Sequence, residues 1–445
     1  MSESLRDAAR TIFTQALRAV DVRAAVQSRI ARRDNELRLA GRWIHRSEFD
    51  QVLVIAMGKA AAPMYLAAAD AFEGFPHTAI VVGPQETLPS PDGVQDGPLC
   101  ATYLPGAHPI PTAESRVAAA TILPALQRVT ARTVVLFLIS GGASAMVEQP
   151  LDPAISLDDL AAFSLALVGS GLTITAMNTL RKHLSAVKGG RLAVVASAAR
   201  MQCTLLISDV PAVSPEAIAS GPSLPDGSTL LEAQSIFKTL QSTSALPRSI
   251  AAWFENRTRP ETPKASHTAF DRAYWEVILS SDHLEGAAVR AAEAAGFYTV
   301  VDNTCDDWEY REAAEYLLHR SRDLAAAAGR PTCIVSVGEV GVALPPIAGE
   351  GGRNQQFALW CGRSLAARRQ VATVLSAGSD GIDGHSRAAG AVCDETIAAR
   401  ALDDLSVNAS LAGFNAAPLL HRIGDAIYTG PTGNNLRDLR LILTE

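Results

Sequence analysis

The stretch VLVIAMGKAAAPMYLAAADAF, residues 52–72, decides how the chain is built. Six apolar residues run unbroken from Val52 to Met57, as a strand covered on both faces requires. Gly58 and Lys59 interrupt the run, and an alanine-rich segment with helical spacing follows. The same grammar recurs downstream. TVVLFLIS runs into GGASAMVEQP, TLLISDV into PAVSPEAIASGP, and TCIVSVGEVGVAL precedes VATVLSAGSDGIDG with its helical successor CDETIAARALDDL. Strands alternating with helices predict an α/β protein whose mostly parallel sheet carries helices on both faces. In such sheets ligands bind beyond the carboxyl ends of the strands, where the glycine-rich and polar segments fall.

A length of 445 residues exceeds one compact core, and the polar, proline-marked segment at 240–270 is the boundary candidate. This gives a first Rossmann-like domain over 1–240 and a smaller α/β domain over 241–445. The terminal AIYTGPTGNNLRDLRLIL could pair with either sheet. A hydrophobic fraction of 48% with 5% aromatics suits helices packed on sheets. The formal net charge of −7 gives no general attraction to nucleic acid or an anionic membrane. The six cysteines are scattered without CxxC spacing, which argues against a zinc or dithiol motif and for reduced, mostly buried thiols. The amphipathic N-terminus is not a signal peptide, and no apolar run approaches a membrane span. A cytoplasmic protein acting on small molecules is expected, with homodimer formation left open.

The strand-end segments carry the candidate chemistry, each beside a plainer alternative. Lys59 could offer its ammonium to a phosphate or simply open a solvated helix; AMGKAAAPM lacks the glycine and hydroxyl of a Walker loop. Ser140, Gly141, Gly142 and Ser144 form either an anion nest or a tight turn, and no nucleophile elbow is present. Asn178, Arg181 and Lys182 share one helical turn, as a converging set or a solvated face. Asp209 is a metal ligand, a base or a turn cap. Arg353 and Asn354 follow the glycine-rich GEGG at a helix start, where an arginine fork binds carboxylate or phosphate although the helix dipole disfavours a cation. Asp380 and Asp383 lie in a glycine-rich strand end, and His108 and His385 are lone histidines.

Eight segments in order resemble the type-2 glycerate kinase family, which joins a glycerate kinase domain to a MOFRL domain. They are GKAAAPM, GAHPIPTAES, LISGGASA, NTLRKHLSAVKGGRLA, SDVPAVSPEAIASGPS, GGRNQQFALW, GSDGIDGHSRAAGAVCD and TGPTGNNLRDL, spanning roughly residues 50 to 440. The resemblance implies ATP-dependent phosphorylation of the 2-hydroxyl of D-glycerate, with Mg2+, in a cleft between the two domains. It implies catalytic roles for Lys59, Arg353 and Asp209 and metal binding by Asp209 and Asp380. Substrate or nucleotide contacts are implied for His108, Ser140, Gly141, Gly142, Ser144, Asn178, Arg181, Lys182 and Asn354. Asp383 is expected to shape its loop or orient a water. The alternatives are a kinase for a related sugar acid, an NAD(P)H-dependent hydroxypyruvate reductase and a sensor without turnover. The reductase is disfavoured because no GxGxxG follows a strand.

Overall fold

The computed structural model describes residues 4–89, 100–208, 215–401 and 404–445. Contacts group the chain into one unit of Val22–Ile278 and another of Met1–Asp21 with Leu279–Glu445. The expected boundary at 240/241 therefore moves to 278/279. The chain beyond 240 first completes the sheet of the earlier unit, while the N-terminal helix Leu5–Ala19 packs with the later one. That helix is held there by Arg6, which pairs with Asp394 and with the fully buried Asp425.

The Val22–Ile278 unit begins with an antiparallel meander, β1 (Ile30–Arg33), β2 (Glu36–Leu39) and β3 (Arg42–His45). Its main sheet comprises β4 (Gln51–Met57), β5 (His77–Gly83), β6 (Ala101–Pro105), β7 (Thr133–Ile139), β8 (Met201–Ile207) and β9 (Ala273–Leu279). The spatial order is β6-β5-β4-β7-β8-β9, and the four pairings from β6 to β8 are parallel. β7 and β8 are buried at every position, which is why they read as continuous apolar runs. Chain order reverses at β4 and β7, whose carboxyl ends carry Lys59 and Ser140. This is the crevice position where open α/β sheets bind ligands.

The other unit carries β10 (Tyr298–Val301), β11 (Thr332–Gly338), β12 (Thr373–Gly378), β13 (Gly390–Asp394), β14 (Ala426–Ile427) and β15 (Asp438–Thr444). Their order is β10-β11-β15-β12-β13-β14. Here the parallel expectation fails. Only β10 with β11 is parallel, and the other four pairings are antiparallel. The connection from β12 to β13 contains no crossover helix, and β15 enters antiparallel between β11 and β12. The terminal strand thus belongs to this sheet. The helix Arg353–Arg368 packs its apolar side on β12 and β13 and starts beside the ends of β11 and β12.

Candidate functional site

In the Val22–Ile278 unit the loops after β4 and β7 are clasped together. Lys59 N donates to Gly141 O at 2.9 Å, and Ala60 N donates to Ser140 Oγ at 2.9 Å. Gly58 makes the approach possible: its φ is +116°, and a Cβ there would lie 2.4 Å from Ser140 O. Ser140 is buried, so it and Gly141 act as struts for the lysine loop. Gly142, at φ +83°, is where the site opens. A Cβ added to it would stand 3.3 Å from both His108 Cδ2 and Lys59 Cγ.

Gly142 and His108 line a cavity of about 160 Å³ that also reaches Ser144, Glu148, Asn178, Arg181 and Ser220, with Leu160, Phe163 and Leu184 on its apolar wall; Lys59 stands beside its Gly142 rim. The polar side is tied together. Ser144 Oγ and Ser220 Oγ are 3.0 Å apart, Ser220 donates to Asn178 Oδ1 at 3.0 Å, and Arg181 donates to the same oxygen at 3.3 Å. Asn178 Nδ2 is spent on Ala217 O. Ala219, Ser220 and Gly221 all have left-handed backbone (φ +54°, +59° and +58°), an uncommon run for two non-glycine residues and strain of the kind found at ligand sites.

The charge balance gives this cavity its chemistry. Glu148 faces it, but that carboxylate is occupied by Lys188 and by Ser185 Oγ at 2.6 Å. Among the described residues neither Lys59 nor Arg181 is ion-paired. Burial, then the charges of Lys59 and Arg181, push the His108 imidazole down to about 4, so it is neutral at physiological pH. Two cations that form no ion pair among the described residues, although Glu148 draws on Arg181, join a neutral imidazole and two hydroxyls in a receptor suited to a small anion bearing hydroxyl groups.

Of the three helix residues expected to converge, Asn178 and Arg181 do and Lys182 does not. Three residues apart, the first two share a face, whereas Lys182 is rotated off it. Its ammonium is buried 3.0 Å from Asp226, beside a second cavity of about 550 Å³. Asp209 lies outside the described residues.

In the other unit Arg353 opens its helix as expected, but it is already held. Its Nε and Nη2 donate to Asp438 at 2.6 and 3.3 Å, and Nη2 lies 2.8 Å from Glu339 Oε1. Burial alone would lower the guanidinium pKa; the two carboxylates more than offset this and hold it above its ordinary value. Burial pushes Glu339 up, against the pull of Arg353. Asn354 is no ligand group: it is 1% exposed, accepts from Ser376 Oγ at 2.6 Å and donates to Asp383. Asp383 accepts from the backbone N–H groups of Asn354 and Gln355 at 3.0 and 2.8 Å, capping the arginine helix. Asp380 accepts from Ile382 N at 3.0 Å. Its Oδ1 and that of Asp438 both stand within 3.4 Å of a Cβ added to Gly378. His385 is exposed. Among the described residues no three His, Cys, Asp or Glu side chains form a group able to hold a metal.

Sequence reading missed Glu148, Ser220, Glu339 and Asp438. The last had a local signal, as an acid at the head of the otherwise alternating DLRLIL strand.

A family model described as "Domain of unknown function (DUF4147)" matches residues 8–255, and the MOFRL family model matches 332–438. The chain is 30% identical to the glycerate 2-kinase of Pyrococcus horikoshii, over 98% of this chain and 96% of that protein. It is 34% identical to a protein of Agrobacterium vitis named only provisionally as a hydroxypyruvate reductase, over 99% of this chain and 94% of that protein. The crystal structure of glycerate kinase from Thermotoga maritima superposes with a TM-score of 0.83 at 28% identity, covering 100% of both chains.

Proposed function

The chain belongs to the glycerate kinase family, and from that premise we propose that it transfers the γ-phosphoryl group of ATP to the 2-hydroxyl of D-glycerate, giving ADP and 2-phospho-D-glycerate. The observation that carries this reading is the cavity lined by Arg181 and a neutral His108, with Lys59 at its Gly142 rim, where neither cation is ion-paired among the described residues. Phosphoryl transfer asks a protein for alignment and charge neutralisation more than for covalent chemistry. We assign the glycerate carboxylate to Arg181, with Asn178, Ser144 and Ser220 orienting the hydroxyls. Lys59 is assigned the charge on the transferring group. Arg353 is assigned to phosphate oxygens of the nucleotide, which requires it to exchange part of its hold on Asp438 and Glu339.

Mg2+ would neutralise the polyphosphate. It keeps most of its waters and is held by one or two carboxylates plus the nucleotide, so the missing three-ligand cage does not argue against it. Asp380 is the carboxylate assigned to it. Neutral His108 can accept the hydroxyl proton or only a hydrogen bond from it; its low pKa favours the hydrogen bond.

The test is ADP release by the purified protein with ATP, Mg2+ and each of D-glycerate, tartronate and erythronate, beside NADH oxidation with hydroxypyruvate. Release greatest with D-glycerate supports the proposal. No acid-dependent release, or NADH oxidation in its place, overturns it.

A further inference from the structure

Arg440 lies at the centre of the β10–β15 sheet, fully buried, and is not ion-paired among the described residues. Its register partners are Ser336 on β11 and Ser376 on β12, and those of Asp438 are Gly338 and Gly378. Small residues on both flanks leave room for the two long polar side chains. Nη1 donates to Gly338 O at 3.3 Å and Nη2 to Ser336 Oγ at 3.4 Å, Nε has no partner, and the Phe357 ring lies 5.8 Å away. Burial lowers the guanidinium pKa, with Cys305, Asp438 and Asp306 acting against it and Arg437 with it. A methionine would fill this space without the cost of burying a charge whose hydrogen bonds are incomplete.

The contact with Gly338 O gives that cost a purpose. The same peptide group carries Glu339 N, which donates to Asp306 Oδ1 at 2.9 Å. Asp306 is in turn gripped by Arg437 at 2.6 and 2.8 Å. The Gly338–Glu339 peptide is therefore pinned at its oxygen by Arg440 and at its nitrogen by Asp306. Gly338 holds φ +139°, and a Cβ there would fall 2.5 Å from Asp306 Oδ1. This fixed peptide plane aims the Glu339 side chain at Arg353.

We propose that Arg440 is a positioning residue, which fixes the Gly338–Glu339 peptide so that Glu339 and Asp438 hold Arg353 ready for phosphoryl transfer. The proposal rests on the kinase reading, and wild-type turnover tests that reading separately. kcat and KM for ATP and D-glycerate are measured in Arg440→Met and Arg440→Lys, with far-UV circular dichroism to establish folding. The folded methionine variant should lose about tenfold or more in kcat with KM changed less than about threefold, and lysine should restore most of the loss. In an Arg353→Lys background, Arg440→Met should cost less than about threefold further, because the two residues act through one group. Where the methionine variant does not fold, Arg440→Gln, too short to reach Gly338 O, takes its place with the same expectation. A folded variant with kcat near wild type, or losses that multiply in the Arg353→Lys background, overturns the proposal. Wild-type protein without glycerate-dependent ADP release overturns the kinase reading instead.

Discussion

At the scale of single residues, charge that is left unpaired and charge that is paired have different consequences. His108 is held neutral by burial and by two cations, so an anion bound beside Lys59 and Arg181 must relax it. In a histidine-detected NMR titration, the His108 ring should titrate near pH 4 in the free protein and move upward with saturating D-glycerate. No movement would contradict the anion cavity. Asp383 behaves differently. Burial pushes its carboxyl up to about 7 despite the N–H donors of Asn354 and Gln355, while an unfolded aspartate titrates near about 3.9. Folding therefore takes up a proton in that interval. The contribution is complete below about pH 4 and lost as pH rises through about 7. Between pH 5 and 8 the thermal midpoint of the wild type should fall relative to that of Asp383→Asn. The asparagine variant should also be less stable by about 1–3 kcal/mol at pH 5, because its NH2 faces a backbone N–H. Parallel midpoints across that range would show that Asp383 does not titrate there.

At the scale of elements, the clasp between the β4 and β7 loops depends on one glycine. Gly58→Ala places a methyl 2.4 Å from a backbone oxygen at a φ that L-residues avoid. A loss of at least about 2–3 kcal/mol in urea unfolding is expected, with Lys59 displaced and turnover reduced in the folded fraction. Stability within about 0.5 kcal/mol of wild type would mean the loops are not clasped in this way. β4, β7 and β8 were legible because a strand covered on both faces is an unbroken apolar run between turn residues. The β1–β3 meander was not, since its arginine-rich segment lacks any such run. Arg353 was legible because a cation at a helix start goes against the dipole. Its pairing with Glu339 and Asp438 was not, because register between distant strands brings them together and no local pattern, not even the acid heading DLRLIL, records that pairing. Lys182 was misread as a companion of Arg181 because adjacency in sequence is not adjacency on a helix face.

At the scale of the whole molecule, the chain crosses its own domain order at its N-terminal end. The first helix and the last strand both belong to the unit built from Leu279 onward. The sequence shows two α/β units but not this crossing, because a boundary is read from local composition whereas the first helix joins the later unit through long-range contacts such as Arg6 with Asp394 and Asp425. Removing residues 438–445 would open β11 and β12 as unpaired edges and uncover core that Leu441 and Ile442 now fill. Limited proteolysis should then degrade the 279–437 segment while leaving a fragment close to 22–278. Protection of both segments would show that the strand is dispensable.

The central claim is that the strand-end cations serve phosphoryl transfer to a hydroxy acid. The most direct measurement identifies the phosphorylated product formed from ATP and D-glycerate by the wild type, Lys59→Ala and Arg353→Ala, with 31P NMR distinguishing the 2- from the 3-phosphate. The account predicts 2-phospho-D-glycerate from the wild type and a fall in rate of about 100-fold or more in each variant. Formation of the 3-phosphate would contradict the assigned hydroxyl, and undiminished turnover in both variants would contradict the claim itself.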